Sequence, residues 1–320
     1  MGGYNNCGIS ILMFRFYYKA DIKEKYTMPH FAVITDTTAN LTARLIKENN
    51  ILQIPFPYFL KGKECSCTEL EAFDDKRYYS DIKNGAKVTT SQINPQKYID
   101  FMQPLLLDGK DILFIGLSSG VSGSFASAVM AREQLSGEFP EREIKLIDSL
   151  GAGLGEGLLA LQAAKCRADG MELNETVEKI LSARDRLYQV FIVDDLMHLK
   201  RTGRLSNAGA VIGTVLGIKP LLKGSAEGKI VAFGKIRGRQ KSINELAEKY
   251  FSLAKNPEKQ TVGITYADCK EDAEYLAKLI RKKLPPKEIL ILKHEPVTGS
   301  HIGPGALALF FEGDAEVRSK

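Results

Sequence analysis

Leu113-Phe-Ile-Gly-Leu-Ser-Ser-Gly-Val-Ser-Gly-Ser124 changes from an apolar run to a loop of serines and glycines, and residues 125–135 resume with helical spacing. This order predicts a buried strand, a hydroxyl-rich turn and a helix. Such a turn suits an anion, because the first N–H groups of a helix lack intrahelical partners and the helix dipole favours negative charge there. The same serines could also do no more than cap the helix.

The composition is that of an ordinary globular protein. The 320 residues are 44% hydrophobic and 26% charged, enough for one large domain or two moderate ones. The formal net charge is +5, but Lys and Arg are spread among acids, so no nucleic-acid partner is expected. Five cysteines without a framework spacing indicate a reducing compartment, and we expect a cytoplasmic protein. Cys65-x-Cys67 is too close for a zinc knuckle, so no metal site is expected.

The first 27 residues differ in character from the rest of the chain. Their apolar run at residues 7–14 is too short to span a bilayer, and no signal-peptide cleavage pattern follows it, so no stable membrane insertion is expected. Met28 reads like a natural protein start that runs directly into a first strand. We therefore expect residues 1–27 to be an extension that is not part of the fold.

Apolar strand patterns alternate with helical patterns through the first half of the chain. This alternation predicts a mostly parallel, Rossmann-like α/β/α domain over residues 28–185. Residues 51–60 read as one strand, which Pro55 and Pro57 would place at an edge or bend. The turns at residues 35–38, 117–124 and 148–153 should meet at the carboxyl edge of the sheet, where ligands bind in such folds, and residues 88–92 should lie near them.

The second half predicts a smaller α+β domain over residues 186–320. A helix at residues 174–188 precedes a strand at 190–193, and a hairpin pairs residues 218–222 with 229–236. Residues 296–305 are rich in glycine and proline and read as a turn before the last strand. Because no low-complexity linker appears, the two domains should pack tightly with a cleft or tunnel between them.

Nucleotide cofactors are disfavoured. The chain has no Gly-x-x-x-x-Gly-Lys-Ser/Thr sequence, and the glycines at 151, 153, 155 and 157 fail the dinucleotide-binding spacing. Those glycines instead indicate close packing between helix and strand.

A serine hydrolase is the alternative reading. Gly116-Leu-Ser118-Ser-Gly120 matches Gly-x-Ser-x-Gly between a strand and a helix. An aspartate and a histidine could complete a triad in the order Ser, Asp, His; the candidates are Asp194, Asp195, Asp268, His294 and His301. No His-Gly-Gly-Gly oxyanion loop accompanies the motif.

The other polar residues have simpler interpretations. Asp194 and Asp195 open a helix, which favours N-terminal capping over metal or acid–base chemistry. The basic residues around Arg204 and around Arg237 read as solvated surface or as contacts for an acidic partner. His301 could be only a turn residue or could donate to an anionic ligand.

Seven short motifs follow one another along the chain. They are Thr35-Asp-Thr-Thr38, Thr89-Thr-Ser-Gln92, Leu117-Ser-Ser-Gly-Val-Ser-Gly-Ser124, Ile147-Asp-Ser149, Thr202-Gly-Arg204, Ile218-Lys-Pro220 and His301-Ile-Gly-Pro-Gly305. Together they resemble the DegV family, which includes the fatty-acid-binding subunits of bacterial fatty acid kinase. The likeness runs from about residue 31 to residue 311.

The resemblance implies a protein that holds one long-chain fatty acid with its tail in a buried apolar tunnel. It also implies that Thr90 and Ser122 donate hydrogen bonds to the carboxylate and that His301 lies beside it. A separate ATP-dependent kinase subunit would phosphorylate that carboxylate, and the acyl phosphate could then feed an acyltransferase of phospholipid synthesis. The chain itself would be non-catalytic and need no cofactor, and Arg237 would contact the kinase.

Two departures from the family pattern occur. Proline follows Thr-Ser-Gln only after Ile93 and Asn94, and the family's Lys-Gly-Gly-Arg is replaced by residues 201–204, Arg-Thr-Gly-Arg. Neutral hydroxyls, helix N–H groups and a histidine are suitable partners for a buried carboxylate. We expect no Arg or Lys nearby, which would leave the carboxylate oxygens open to a phosphoryl donor.

Overall fold

The computed structural model describes residues 31–206 and 217–319. The predicted extension at residues 1–27 and the small apolar segment at residues 208–216 lie outside this described part. The strands are β1 (Phe31–Asp36), β2 (Ile51–Ile54), β3 (Tyr58–Leu60), β4 (Lys63–Cys65), β5 (Val88–Thr90), β6 (Asp111–Gly116), β7 (Ile144–Asp148), β8 (Leu187–Ile192), β9 (Ile218–Gly224), β10 (Ile230–Arg237), β11 (Thr261–Tyr266), β12 (Glu288–Lys293) and β13 (Leu307–Glu312). The α-helices are α1 (Ala43–Glu48), α2 (Asp75–Lys83), α3 (Pro95–Leu107), α4 (Ser124–Glu138), α5 (Leu154–Ala168), α6 (Leu173–Arg186), α7 (Leu196–Arg201), α8 (Arg239–Leu253), α9 (Lys270–Lys283) and α10 (Pro296–Ile302).

The first sheet is parallel and buried on both faces. Its strand order is β2-β1-β6-β7. Successive residues of β6 point to opposite faces: Ile112 and Phe114 join the core that includes α3 and α4, whereas Leu113 and Ile115 join the core that includes α5. This confirms the predicted α/β/α arrangement.

The second large sheet is mixed, with strand order β10-β9-β8-β13-β11-β12. Only the β11–β12 pair is parallel, and β9 and β10 form the predicted hairpin. Helices α8 and α9 cover one face and bury a third apolar core. The strands of the first sheet end at Asp148 and those of the second begin at Leu187. The domain limits 28–185 and 186–320 stay a prediction.

The prediction of one strand over residues 51–60 was wrong. Strand β2 pairs with β1 of the parallel sheet, whereas β3 pairs with β4 and β5 in a separate three-stranded antiparallel sheet. Pro55 and Pro57 lie between β2 and β3, and proline supplies no N–H to a ladder and fixes its own φ. The small sheet places Thr90 at the end of β5.

Two boundaries in the second half also differ from the prediction. Helix α6 ends at Arg186, and Tyr188 is a buried residue of β8, not of the helix. The predicted turn at residues 296–305 contains helix α10, because Pro296 is tolerated in the first turn and the Glu295 side chain accepts hydrogen bonds from the N–H groups of Val297 and Thr298. His301 therefore lies in the last turn of a helix. None of the described helices is long and apolar enough to cross a membrane.

Candidate functional site

A cavity lies where the carboxyl edge of the first sheet meets the second large sheet. It holds about 870 Å³ of space free of protein atoms, including the part open to solvent. Its apolar lining is contributed by both sheets and by α10: Phe56, Leu117, Val121, Leu150, Ala152, Val190, Phe191, Ile230, Val297, Ile302, Ala308 and Phe310. A cavity of this size with a largely apolar wall is typical of a small-molecule site.

Thr90, Ser122 and His301 all line this cavity. The Thr90 Oγ1 atom lies 2.9 Å from His301 Nε2, which joins the small sheet to α10. Ser122 precedes α4, and its Oγ accepts a hydrogen bond from the Ser124 N–H at 3.2 Å. The three side chains thus come from elements far apart in sequence. Their role as ligands of a bound molecule stays a prediction.

His301 is neutral at physiological pH in this site. Burial, the Arg204 guanidinium and His198 lower the pKa of His301 to about 4. Its Nδ1 atom is buried and has no hydrogen-bond partner among the described residues. If Thr90 donates to Nε2, then Nδ1 carries the hydrogen and is a free donor. A ligand oxygen would satisfy that donor.

Arg204 corrects the expectation that no Arg or Lys lies near the site. Its side chain lines the same cavity, and its charge acts on His301. Its guanidinium donates to the carbonyls of Thr202 at 2.5 Å and Val121 at 3.5 Å, and Val121 directly precedes Ser122. Arg204 is half-buried, and these two carbonyls hold its guanidinium at the cavity, whereas its sequence suggested a solvated surface or a contact for an acidic partner. We call Thr90, Ser122, Arg204 and His301 the polar end of the cavity.

The turn of the β9–β10 hairpin contacts the serine loop, which comprises residues 117–124. Ser118 Oγ donates to the Gly228 carbonyl at 2.8 Å. A Cβ on Gly228, whose φ is +70°, would come within 2.1 Å of Ser118 Oγ, so only glycine permits this approach. Gly228 itself lines the cavity, so this contact holds the hairpin turn against the serine loop at the cavity wall.

The hydrolase alternative has no support in this geometry. Ser118 is buried and hydrogen-bonded to a backbone carbonyl, whereas a nucleophile needs an adjacent general base. His301 pairs with Thr90 instead. The candidate aspartates are engaged elsewhere: Asp194 with Lys219 and Arg239, Asp195 with Arg201, and Asp268 with Lys83. Asp195 also caps α7, as predicted.

His294 and Thr298 form a second polar patch on the cavity wall. His294 Nδ1 lies 2.9 Å from Thr265 Oγ1 and its Nε2 lies 2.7 Å from Thr298 Oγ1. Burial lowers the pKa of His294 to about 4. The sequence offered His294 only as a triad member, and no local motif marks it as a cavity residue.

Arg237 is not part of the cavity. It is exposed at the end of β10, whereas Ile230 at the start of that strand lines the cavity. At about 3.3 Å per residue, the two are roughly 23 Å apart along the strand. Within the described residues, no cluster of His, Cys, Asp or Glu has the arrangement of a metal site.

The fold and the cavity define a class of α/β proteins with a largely apolar cavity that also carries hydroxyl, imidazole and guanidinium groups. The chain belongs to the DegV family, since the family model described as "Uncharacterised protein, DegV family" matches residues 30–314. This confirms the resemblance drawn from the seven motifs.

Individual relatives agree with this assignment. A DegV domain-containing protein of Clostridium perfringens is 36% identical over 296 residues, covering 90% of this chain and 99% of its own. The crystal structure of DegV, a fatty acid binding protein from Bacillus subtilis, is 29% identical with a TM-score of 0.75, and the match covers 89% of this chain and 99% of that one. A fatty-acid-binding DegV family protein from Thermus thermophilus is 25% identical with a TM-score of 0.81, covering 89% of this chain and 100% of its own.

Proposed function

We propose that this chain binds one long-chain fatty acid and presents its carboxylate to a separate ATP-dependent kinase subunit, which forms an acyl phosphate. The observation that carries the proposal is an apolar cavity with Thr90, Ser122, Arg204 and His301 together along its wall. The fatty acid binding described for the Bacillus subtilis and Thermus thermophilus relatives supports the same assignment.

The apolar part of the cavity holds the acyl tail. Burying a methylene group contributes roughly 0.8 kcal/mol, so the tail supplies most of the binding free energy. The polar end fixes the carboxylate and sets the orientation of the chain. Free Nδ1 on His301, the Ser122 hydroxyl and the Arg204 cation offer the charge-assisted hydrogen bonds that a buried carboxylate needs.

The chain acts as a carrier and has no catalytic group of its own in this proposal. The acyl phosphate that the kinase subunit forms would pass to an acyltransferase of phospholipid synthesis. The described cysteines are free thiols, which suits the predicted cytoplasmic location. Arg237 remains the candidate contact for the kinase, on a surface outside the cavity.

Trapping with hydroxylamine tests the carrier role, because an acyl phosphate and hydroxylamine give an acyl hydroxamate and inorganic phosphate. Lipid-free protein is loaded with a radiolabelled long-chain fatty acid and incubated with MgATP. We expect labelled hydroxamate only when a fatty acid kinase catalytic subunit is added. Hydroxamate formed with MgATP but without the kinase subunit would show that this chain is itself catalytic. No hydroxamate in the presence of the kinase subunit would contradict the proposal that the chain presents its fatty acid to that subunit.

A further inference from the structure

Two carboxyl groups are buried together behind the serine loop. Asp36 ends β1 and Glu156 lies in the first turn of α5, and neither side chain is exposed (0% for each). Thr35 Oγ1 lies 2.7 Å from Glu156 Oε1. Thr38 Oγ1 lies 2.5 Å from Asp36 Oδ1 and 2.9 Å from Glu156 Oε2, so one hydroxyl bridges the two acids.

The Thr38 hydroxyl has a single hydrogen to share between these two oxygens. Its shorter contact is with Asp36, which also accepts from the Thr38 backbone N–H at 2.8 Å. Asp36 is therefore the acceptor of the Thr38 hydrogen. The contact with Glu156 is then satisfied when the carboxyl of Glu156 carries a hydrogen and donates it to Thr38 Oγ1.

The surroundings disfavour two negative charges. Among the described residues, Tyr98 on α3 and Glu295 before α10 interact electrostatically with the pair, and neither is a cation. Burial raises the pKa of Asp36 to about 6, while nearby N–H groups, including that of Leu117, act to lower it. Burial and the Asp36 charge raise the pKa of Glu156 well above its usual value.

We infer that the pair holds one proton at neutral pH, carried by Glu156 and donated through the Thr38 hydroxyl to an ionised Asp36. Asp36 then acts as a positioning residue, because its charge is held by the N–H and hydroxyl of Thr38 and interacts with the N–H of Leu117 at the start of the serine loop. The protonated Glu156 limits the pair to one negative charge on the sheet edge that also carries the cavity. The effect of that single charge on a bound carboxylate rests on the proposed function, whereas the presence of the proton does not.

A pair of isosteric variants tests the assignment on lipid-free protein. In Glu156→Gln, the amide can donate to Thr38 and accept from Thr35 without a proton to bind, so we expect the unfolding equilibrium constant at pH 7 not to rise. In Asp36→Asn, the carbonyl oxygen can still accept from Thr38, but a buried amide N–H₂ replaces Oδ2, which has no hydrogen-bond partner among the described residues, and the negative charge is lost. We expect Asp36→Asn to raise the unfolding constant by roughly tenfold or more. Equal effects of the two substitutions would overturn the assignment.

The proton on Glu156 also predicts how the stability of the protein depends on pH. The pKa of Glu156 is raised above its ordinary value of 4.5, so its contribution to stability is full below about pH 4.5 and is lost as pH rises toward the folded-state pKa. Relative to Glu156→Gln, the natural protein should lose up to about tenfold in the folding equilibrium per pH unit in that window. A parallel pH profile for the two proteins would contradict the inference.

Infrared spectroscopy detects the proton on the carboxyl group directly, which a purely structural role of Glu156 would not require. At pH 7 we expect the carbonyl band of a protonated carboxylic acid in the natural protein and a weaker band in Glu156→Gln, in which the buried Glu295, whose pKa is raised to about 7, still contributes. Finding no such band, or finding a band of equal intensity in Glu156→Gln, would overturn the proposal. Since no lipid is present, either result leaves the proposed fatty acid binding untouched.

Discussion

Replacing Arg204 by Met is expected to weaken fatty acid binding by roughly 10- to 100-fold. Met preserves apolar contact with the cavity wall but removes the cation beside His301. Hydrogen bonds to a charged group contribute about 1.5–3 kcal/mol, which gives this range. Loss of the guanidinium also removes a charge that lowers the pKa of His301, so that pKa should rise toward its ordinary value. Titration of lipid-free protein with a fluorescent fatty acid measures the affinity.

Two variants control this experiment. Arg204→Lys keeps the charge without the guanidinium fork, and should recover part of the affinity. Arg201→Met removes a neighbouring arginine that is exposed and paired with Asp195, and should leave the affinity unchanged. If Arg204→Met bound as tightly as the natural protein, or if Arg201→Met weakened binding equally, Arg204 would have no special role at the polar end.

Replacing Arg318 by Ala is expected to lower the free energy of unfolding by about 3–5 kcal/mol. This arginine is 6% exposed, and its guanidinium donates to the carbonyls of Arg184, Leu187, Leu150 and Ser225. Truncation leaves these carbonyls without that donor and also opens a cavity. Urea denaturation measures the loss.

Arg318→Ala should also weaken the packing of the cavity wall. Leu150 lines it, and Ser225 belongs to the hairpin turn whose Gly228 receives the Ser118 hydrogen bond. Arg281→Ala is the matched control, because Arg281 is exposed on α9, and its effect should stay within about 0.5 kcal/mol. A loss of stability no greater than that of Arg281→Ala would show that the buried guanidinium contributes little.

Much of the fold could be predicted from local patterns in the sequence. Helix α3 follows from Asn94-Pro95, since Asn94 caps the helix and proline is tolerated at its start. Strands β11 and β12 follow from apolar runs bounded by polar residues. The single strand predicted over residues 51–60 was wrong because Pro55 and Pro57 indicate a bend but do not show that the chain leaves one sheet for another. Helix α10 was predicted as a turn because its glycine and proline are also typical of turns. Its N-cap is Glu295, and glutamate is not among the residues preferred at that position.

The candidate site was predictable only in part. The resemblance implied Thr90, Ser122 and His301, of which the sequence alone offered His301 as a donor to an anion, and all three line one cavity. Arg204 was interpreted as solvated surface or as a contact for an acidic partner, because a basic residue in a sequence does not show whether it lines a cavity. His294 and the Asp36–Glu156 pair were missed for a related reason: their chemistry depends on neighbours such as Thr265 and Thr38 that only the fold brings close.

Lipid analysis of protein purified from cells tests the central claim most directly. After denaturing extraction, mass spectrometry should find about one fatty acid per chain in the natural protein. Ser122→Ala should retain much less, whereas Ser119→Ala should match the natural protein, because Ser119 is an exposed serine of the same loop that does not line the cavity. Natural protein that carries no fatty acid, and that binds none when titrated, would contradict the account.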